Sequence, residues 1–452
     1  MQHRVYTKRW IILALVAALL LVSCGPAATP DPSMATDTPA RTPKPTFTPQ
    51  PGEPATPADA GTPTDEGVSA AEATLAPTMT VAAAGPASTD EPTAVPATAT
   101  PSPVKSLRMD SPEYGMQIFP WWRPEVGSRD FQVVAEAGFS WAKVNFGWRE
   151  IEGAGKGVFD WSRTDEIVRM AAENDIDLVI RVDHQPAWAG GGFPVNGPPD
   201  DYQDLADFFT AMATRYRGRV RAYQVWNEPN LAREWGGRLP DPGQYAKLLR
   251  VCYQAIKAAD PNAMVISAGL SPTGTWNEQA RPDDWYLESM YIAMNEALGS
   301  SDGYFDVLGA HAPGFKSPPE RDPAQVAADP DLGGQRAFAF RRVEDLRAIM
   351  VKYGDANKQV AILEFGWTSD PRPDSPYNWH AVSEQVKADY LVRAYQYARD
   401  NWSPWIGLMS LIYICDHDWT PEDEQYWWSI SDPGWPEFKP RPAYTALKQM
   451  AK

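Results

Sequence analysis

Cysteine is scarce: three in 452 residues, and only Cys252 and Cys415 lie beyond position 24. Two thiols in a domain-sized stretch exclude a disulfide scaffold, and both sit in apolar segments, so two separate core thiols are expected. Positive charge is also short. Forty-one Lys and Arg face 58 Asp and Glu, for a formal charge of −17, of which residues 105–452 carry −13. So acidic a domain lacks the basic clusters that phosphate contacts need, which excludes nucleic acid and an anionic lipid surface as partners. No glycine-rich phosphate turn follows an early apolar run, so a nucleotide-binding open sheet has no signature. Histidine is limited to five, none in the first apolar run of the globular part (115–119). No metal and no cofactor are expected.

Apolar runs long enough to matter outside a folded core are limited to residues 11–22. Arg4, Lys8 and Arg9 precede that run, which has the length of an export signal's apolar stretch and is short for a membrane span. It ends in Leu21-Val22-Ser23-Cys24-Gly25, which resembles a bacterial lipobox. The resemblance implies cleavage after 23, acylation of Cys24, and a lipid-anchored, extracytoplasmic protein. Residues 1–24 are therefore assigned as a lipoprotein signal peptide. Residues 25–104 hold 17 Pro and one aromatic, Phe47, among Thr, Ala and Ser. Such a segment cannot bury enough apolar surface to offset the entropy of ordering, and is expected to be a disordered, extended tether.

Residues 105–452 are rich where the rest is poor. Eighteen of 19 Trp fall here, more than a core needs, and flat apolar rings suit the C–H faces of sugars. Apolar runs at 115–119, 141–145, 177–182, 222–226, 264–268, 305–310, 360–363 and 406–414 alternate with helical stretches at 129–137, 162–173, 203–216, 244–259, 285–297, 336–353, 382–401 and 442–450. Short runs bounded by turn residues and separated by helices indicate βα units on a parallel sheet. Eight such units in about 340 residues predict an α/β fold of the (β/α)₈ TIM-barrel type.

Such barrels keep their chemistry at the C-terminal ends of the strands. Those ends read Arg181-Val182-Asp183-His184, Trp226-Asn227-Glu228-Pro229, His311, Glu364-Phe365-Gly366-Trp367 and Asp416-His417-Asp418-Trp419. Glu228 and Glu364 are far apart in sequence, yet the barrel brings both to one rim. Two carboxyl groups flanking one bond are what glycoside hydrolysis requires.

Val225-Trp226-Asn227-Glu228-Pro229 and Ile362-Leu363-Glu364-Phe365-Gly366-Trp367 resemble the two catalytic motifs of glycoside hydrolase clan A. The resemblance runs from about 116 to 452. It takes in Trp148-Arg149-Glu150-Ile151-Glu152 with Gly157, Phe159, Trp161 and Asp165, as in families 39 and 42, and the closing Lys439-Pro440-Arg441-Pro442-Ala443-Tyr444. It implies a retaining hydrolase of β-linked oligo- or polysaccharides, with Glu228 as acid/base and Glu364 as nucleophile. Asn227 would bind the sugar 2-hydroxyl, His184 and His311 would contact sugar or orient a carboxylate, and Trp419 would floor the sugar site. Trp367, Trp121 and Trp122 would be further rim aromatics, and Arg181 would lie near the catalytic pair. Many family 5 members carry Tyr two residues after the strand-six His. Here Pro313 stands there, which leaves the orienting partner of Glu364 open. A barrel that binds carbohydrate without turnover is the alternative. A monomer is expected, and loops 189–201 and 313–335 are expected to shape the cleft.

Overall fold

The computed structural model describes residues 106–121 and 123–452. The export signal, Cys24, the linker and Trp122 lie outside them. Eight parallel strands form a closed barrel in sequence order, β8 pairing back onto β1. They are β1 (Glu113–Gln117), β2 (Trp141–Gly147), β3 (Asp177–Asp183), β4 (Ala222–Val225), β5 (Met264–Ser267), β6 (Val307–His311), β7 (Gln359–Phe365) and β8 (Ile406–Leu411). The principal helices are α1 (Pro124–Glu136), α2 (Trp148–Glu152), α3 (Ser162–Glu173), α4 (Tyr202–Arg215), α5 (Pro242–Ala259), α6 (Asp283–Leu298), α7 (Pro323–Ala327), α8 (Arg342–Lys352), α9 (Glu384–Trp402), α10 (Glu424–Trp428) and α11 (Pro442–Gln449). The (β/α)₈ architecture expected from the alternation is the one observed.

Strand alternation explains how one barrel holds both a core and a site. Side chains two apart share a face. Ala142, Val144 and Phe146 on β2, and Leu178, Ile180 and Val182 on β3, turn outward into the large core beneath the helices. Trp141, Val179, Ala222, Met264, Val307, Ala361 and Leu408 turn inward and fill the lower barrel with Met109. One step up the same inward faces stand Lys143, Arg181 and Gln224, all buried. The interior is thus an apolar floor with a polar tier above it. At the bottom, Arg221 joins Glu113 and Asp177 and lies 4.8 Å over the Trp141 ring.

Several motif residues brace the frame. The Trp148 indole N–H and the Gly157 backbone N–H, each 2.6 Å away, donate to the Glu152 carboxylate. Trp161 stacks on Phe159 and Phe208, and Asp165 accepts from Arg215. Arg441 donates to Asp432 and to two backbone carbonyls, and the Tyr444 hydroxyl donates to the Val133 carbonyl. The 313–335 segment carries α7, and its Phe315 and Val326 form a small apolar cluster with Phe338 just beyond it. Cys252 and Cys415 are both buried and unpaired.

Candidate active site

The site begins where β4 stops. Trp226 and Glu228 both adopt positive φ, at 70° and 38°, and His184 after β3 does so at 62°. Non-glycine residues in the left-handed region cost of order 1 kcal/mol or more and must be held by their surroundings. Here the Trp226 N–H donates to the Val182 carbonyl and its indole N–H to the Glu234 carbonyl, while the Glu228 N–H donates to the Gly269 carbonyl. This turn delivers the Glu228 side chain to the barrel mouth. Asn227, beside it, accepts a long 3.4 Å hydrogen bond from Gln224 of the polar tier.

Glu364 comes up from β7, in register with His311 of β6. The His311 ring is fully buried between the two carboxylates. Its Nδ1 lies 3.1 Å from Glu228 Oε1 and 3.8 Å from Glu364 Oε2. Those two legs laid end to end, 3.1 and 3.8 Å, cap the separation of these oxygens at 6.9 Å.

The pair is electrostatically unequal. Glu364 Oε1 accepts from Lys143 Nζ at 2.6 Å, with Arg181 Nη1 at 3.7 Å. Burial alone would raise the Glu364 carboxyl. Lys143, His311 and Arg181 overcome it and bring it down to about 2. Glu228 is buried too, and burial pushes it up, but the His311 hydrogen bond and the Arg233 charge leave it below the ordinary glutamate range despite the opposing charge of Glu364. Arg233 Nη2 donates to Glu228 Oε2 at 2.9 Å. Arg181 is itself held by Asp183, at 2.5 Å, and Asp183 Oδ1 lies 2.6 Å from His184 Nδ1. His184 is therefore linked to Glu364 through two residues, Asp183 and Arg181.

Lys143 was not anticipated from sequence, and it answers the question that Pro313 raised, because a buried ammonium orients Glu364. Its signal was a lone charge in an otherwise apolar strand, on the inward parity of Trp141. Arg233 was also missed, since its loop conformation has no periodic signature.

Two aromatic expectations divide. Trp419 is buried against Phe119 and Tyr413, with ring centroids 4.8 and 5.2 Å away. The Tyr413 hydroxyl feels the charges of both Glu364 and Glu228, so this cluster borders the site. Trp367 is corrected. It is 0% exposed, its indole N–H donates to the Ser317 carbonyl, and its ring packs on Phe340 and Tyr390. It lies past the end of β7 and packs with Phe365 in the large core beneath the helices. Trp121 is also largely buried, against Phe146.

Comparison with known proteins agrees with this geometry. Residues 100–295 match the family model Cellulase (glycosyl hydrolase family 5). A curated relative, a beta-xylosidase of Geobacillus stearothermophilus, is 30% identical over 183 residues, which is 37% of this chain and 33% of the relative. The chain thus spans about a third of that protein's length. Among solved structures, a family 39 glycoside hydrolase from Bacteroides cellulosilyticus superposes with a TM-score of 0.55 at 20% identity, covering 75% of this chain and 64% of that one. A glucosidase from Croceicoccus marinus gives 0.53 at 14% identity, covering 77% and 68%. At these identities the structural likenesses speak to the fold. The closed barrel is the fold these neighbours share, and residues 100–295, which include Asn227 and Glu228, are similar to the cellulase family of glycosyl hydrolases.

Proposed function

We propose that the protein is a retaining glycosidase of β-linked glycans. Glu364 attacks the anomeric carbon while Glu228 protonates the departing oxygen; the C–O bond breaks as the glycosyl–Glu364 ester forms. Glu228, now a carboxylate, takes a proton from water, which attacks the same carbon and releases Glu364. The observation that carries this reading is the shared contact of both carboxylates with His311 Nδ1. The resulting 6.9 Å ceiling admits the roughly 5–5.5 Å spacing of retaining enzymes. The inequality of the pair supports the division of roles. Lys143 and Arg181 keep Glu364 ionised, as a nucleophile must be, and consuming its charge in the ester removes a term that favours the neutral form of Glu228. Asn227, next to Glu228, would supply a contact to the sugar 2-hydroxyl that strengthens in the transition state.

The test is a panel of aryl β-glycosides, β-xylosides first, followed by plant and bacterial polysaccharides. Wild type is compared with Glu228→Ala and Glu364→Ala, and the product anomer is followed by proton NMR. The β-anomer appearing first, with turnover lost in both variants, is expected. An α-anomer appearing first refutes retention. A second reading, a barrel that binds glycans without turnover, draws on one observation: both oxygens of Glu228 already have partners, His311 and Arg233. Binding without hydrolysis in all three proteins would establish it. We further propose that Cys24 carries a lipid anchor and that residues 25–104 tether the barrel outside the cytoplasm as a monomer. Loss of labelled palmitate incorporation in Cys24→Ala tests the anchor.

A further inference from the structure

Both oxygens of Glu228 already have a partner in the free protein. Oε1 is matched to His311, and Oε2 accepts from Arg233 at 2.9 Å. A proton donor has to turn one oxygen, carrying hydrogen, toward the leaving group, at about 2.6–3.2 Å. His311 is fully buried on β6 and cannot withdraw without dismantling its contact with the Glu364 side. Arg233 can. It sits in the short turn Ala232–Glu234, and its side chain is one-third exposed. A second acceptor is already beside it: Glu234 Oε1 lies 3.9 Å from Arg233 Nε. Glu234 is buried, held by Asn196 at its other oxygen, and raised above the ordinary glutamate range by burial, against the pull of Arg181 and Arg233. A carboxylate in that state gains from a closer cation.

We propose that Arg233 is a latch on the acid/base: it holds Glu228 as a carboxylate in the free protein and passes to Glu234 when a glycoside fills the cleft, so that Glu228 takes up its proton only with substrate in place. The inference rests on the assignment of Glu228 as proton donor made above. The balance is simple. As the Arg233 N–H leaves Oε2, the carboxylate accepts one proton from solvent. That proton then goes to the glycosidic oxygen as the C–O bond breaks. The groups facing Glu228 are Arg233 and Glu234 from its own loop, His311 from β6, Glu364 from β7 and Tyr413 beyond β8, and those facing Arg233 besides the two glutamates are Tyr377 and Glu424. Of these, Arg233 alone combines direct contact with partial exposure and an alternative partner within 4 Å. Arg233 is thereby a positioning residue, acting through Glu228.

Arg233→Gln separates the latch from a structural brace. With a substrate whose leaving group needs protonation, the alkaline limb of kcat/KM, which reports the free protein, should move up by about one pH unit or more. The alkaline limb of kcat, which reports the complex, should stay within a few tenths of a unit, because the latch is already off. A dinitrophenyl glycoside, whose leaving group needs no acid, should show neither change. Arg233→Lys should keep most of the wild-type profile. In parallel, the Glu228 carboxyl is titrated by carbon-13 NMR in the free protein, with the resonance assigned by its loss in Glu228→Gln. Its midpoint should rise in Arg233→Gln. If both limbs move together, Arg233 stays on Glu228 throughout and the latch is refuted; if neither limb nor the NMR midpoint moves, the ion pair is inert and the latch is again refuted. Wild type that turns over no glycoside in the panel refutes the assignment of Glu228 as donor, and the latch with it, whereas turnover with an unmoved midpoint refutes the latch alone.

Discussion

Lys143→Met removes the ammonium that grips Glu364 while keeping a long unbranched side chain in the polar tier. In the native protein the Glu364 carboxyl sits near 2, against an ordinary 4.5. That gap of about 2.5 units, at about 1.4 kcal/mol each, corresponds to about 3–4 kcal/mol of preference for the ionised form. The sign follows from a folded-state value below the unfolded one. The stabilisation is complete above about 4.5 and is lost as the pH falls from there toward about 2. Without Lys143, the carboxylate keeps Arg181 at 3.7 Å and His311 at 3.8 Å. Loss of one close opposite charge raises a carboxyl by about 1–3 units, so Glu364 should climb to about 3–5. The acid limb of kcat/KM, set below the working range in wild type, should enter it in the variant. Its activity at pH 4 should fall to between about one-tenth and nine-tenths of its plateau. The assay is a pH–rate profile on an activated aryl glycoside, with circular dichroism confirming the fold at each pH and urea melts at pH 7 and pH 3. The variant should also lose less stability than wild type between those two pH values. Coincident acid limbs and equal low-pH losses in the two folded proteins would refute the argument that Lys143 sets the charge on Glu364.

Further outcomes follow from the same contacts. Trp367→Ala should destabilise the fold by about 3–5 kcal/mol in urea while leaving KM close to wild type; a tenfold rise in KM at unchanged stability would return Trp367 to the substrate. Asn227→Ala should lower kcat/KM about 10²- to 10³-fold on an ordinary glycoside and far less on its 2-deoxy analogue; equal losses on both would remove the 2-hydroxyl contact. Arg342, buried and paired to Asp283 at 2.8 Å, should cost about 3–5 kcal/mol when replaced singly by Met, because a buried carboxylate is left behind. Pairing Arg342→Met with Asp283→Leu should recover most of that loss in chemical denaturation, and a failure to recover would mean that packing, not charge, carries the site.

Much of the frame was legible because barrel strands carry a double signal, apolar on both faces and punctuated by helices. β2, β3 and β5 start where their apolar runs start. Ends were harder. The fourth run extends through Trp226, yet β4 stops at Val225 because Trp226 turns to positive φ. The eighth run reaches 414, but β8 leaves the ladder after Leu411. The paired glutamates were legible because each lies in a motif at a strand end. What holds them was not. Lys143 sits 221 residues from Glu364 in sequence, and only closure of the barrel brings β2 and β7 to face one inward tier. Trp367 was misplaced by treating nearness in sequence to Glu364 as nearness in space: the alternation of β7 shifts register after Ile362, and the chain leaves the strand at Phe365, so Trp367 joins the outer core. Arg233 depends on loop φ and ψ values, which carry no period to read.

The plug of Trp141, Val179, Met264 and Leu408 beneath the charged tier makes the barrel a cup rather than a conduit. Nothing can drain through its base. Under the proposed mechanism, the water that ends the reaction must therefore enter by the same doorway the departing alcohol uses. Hydrolysis and transfer to another sugar would then become a contest for one vestibule, decided by whichever hydroxyl stands there when the first product steps out.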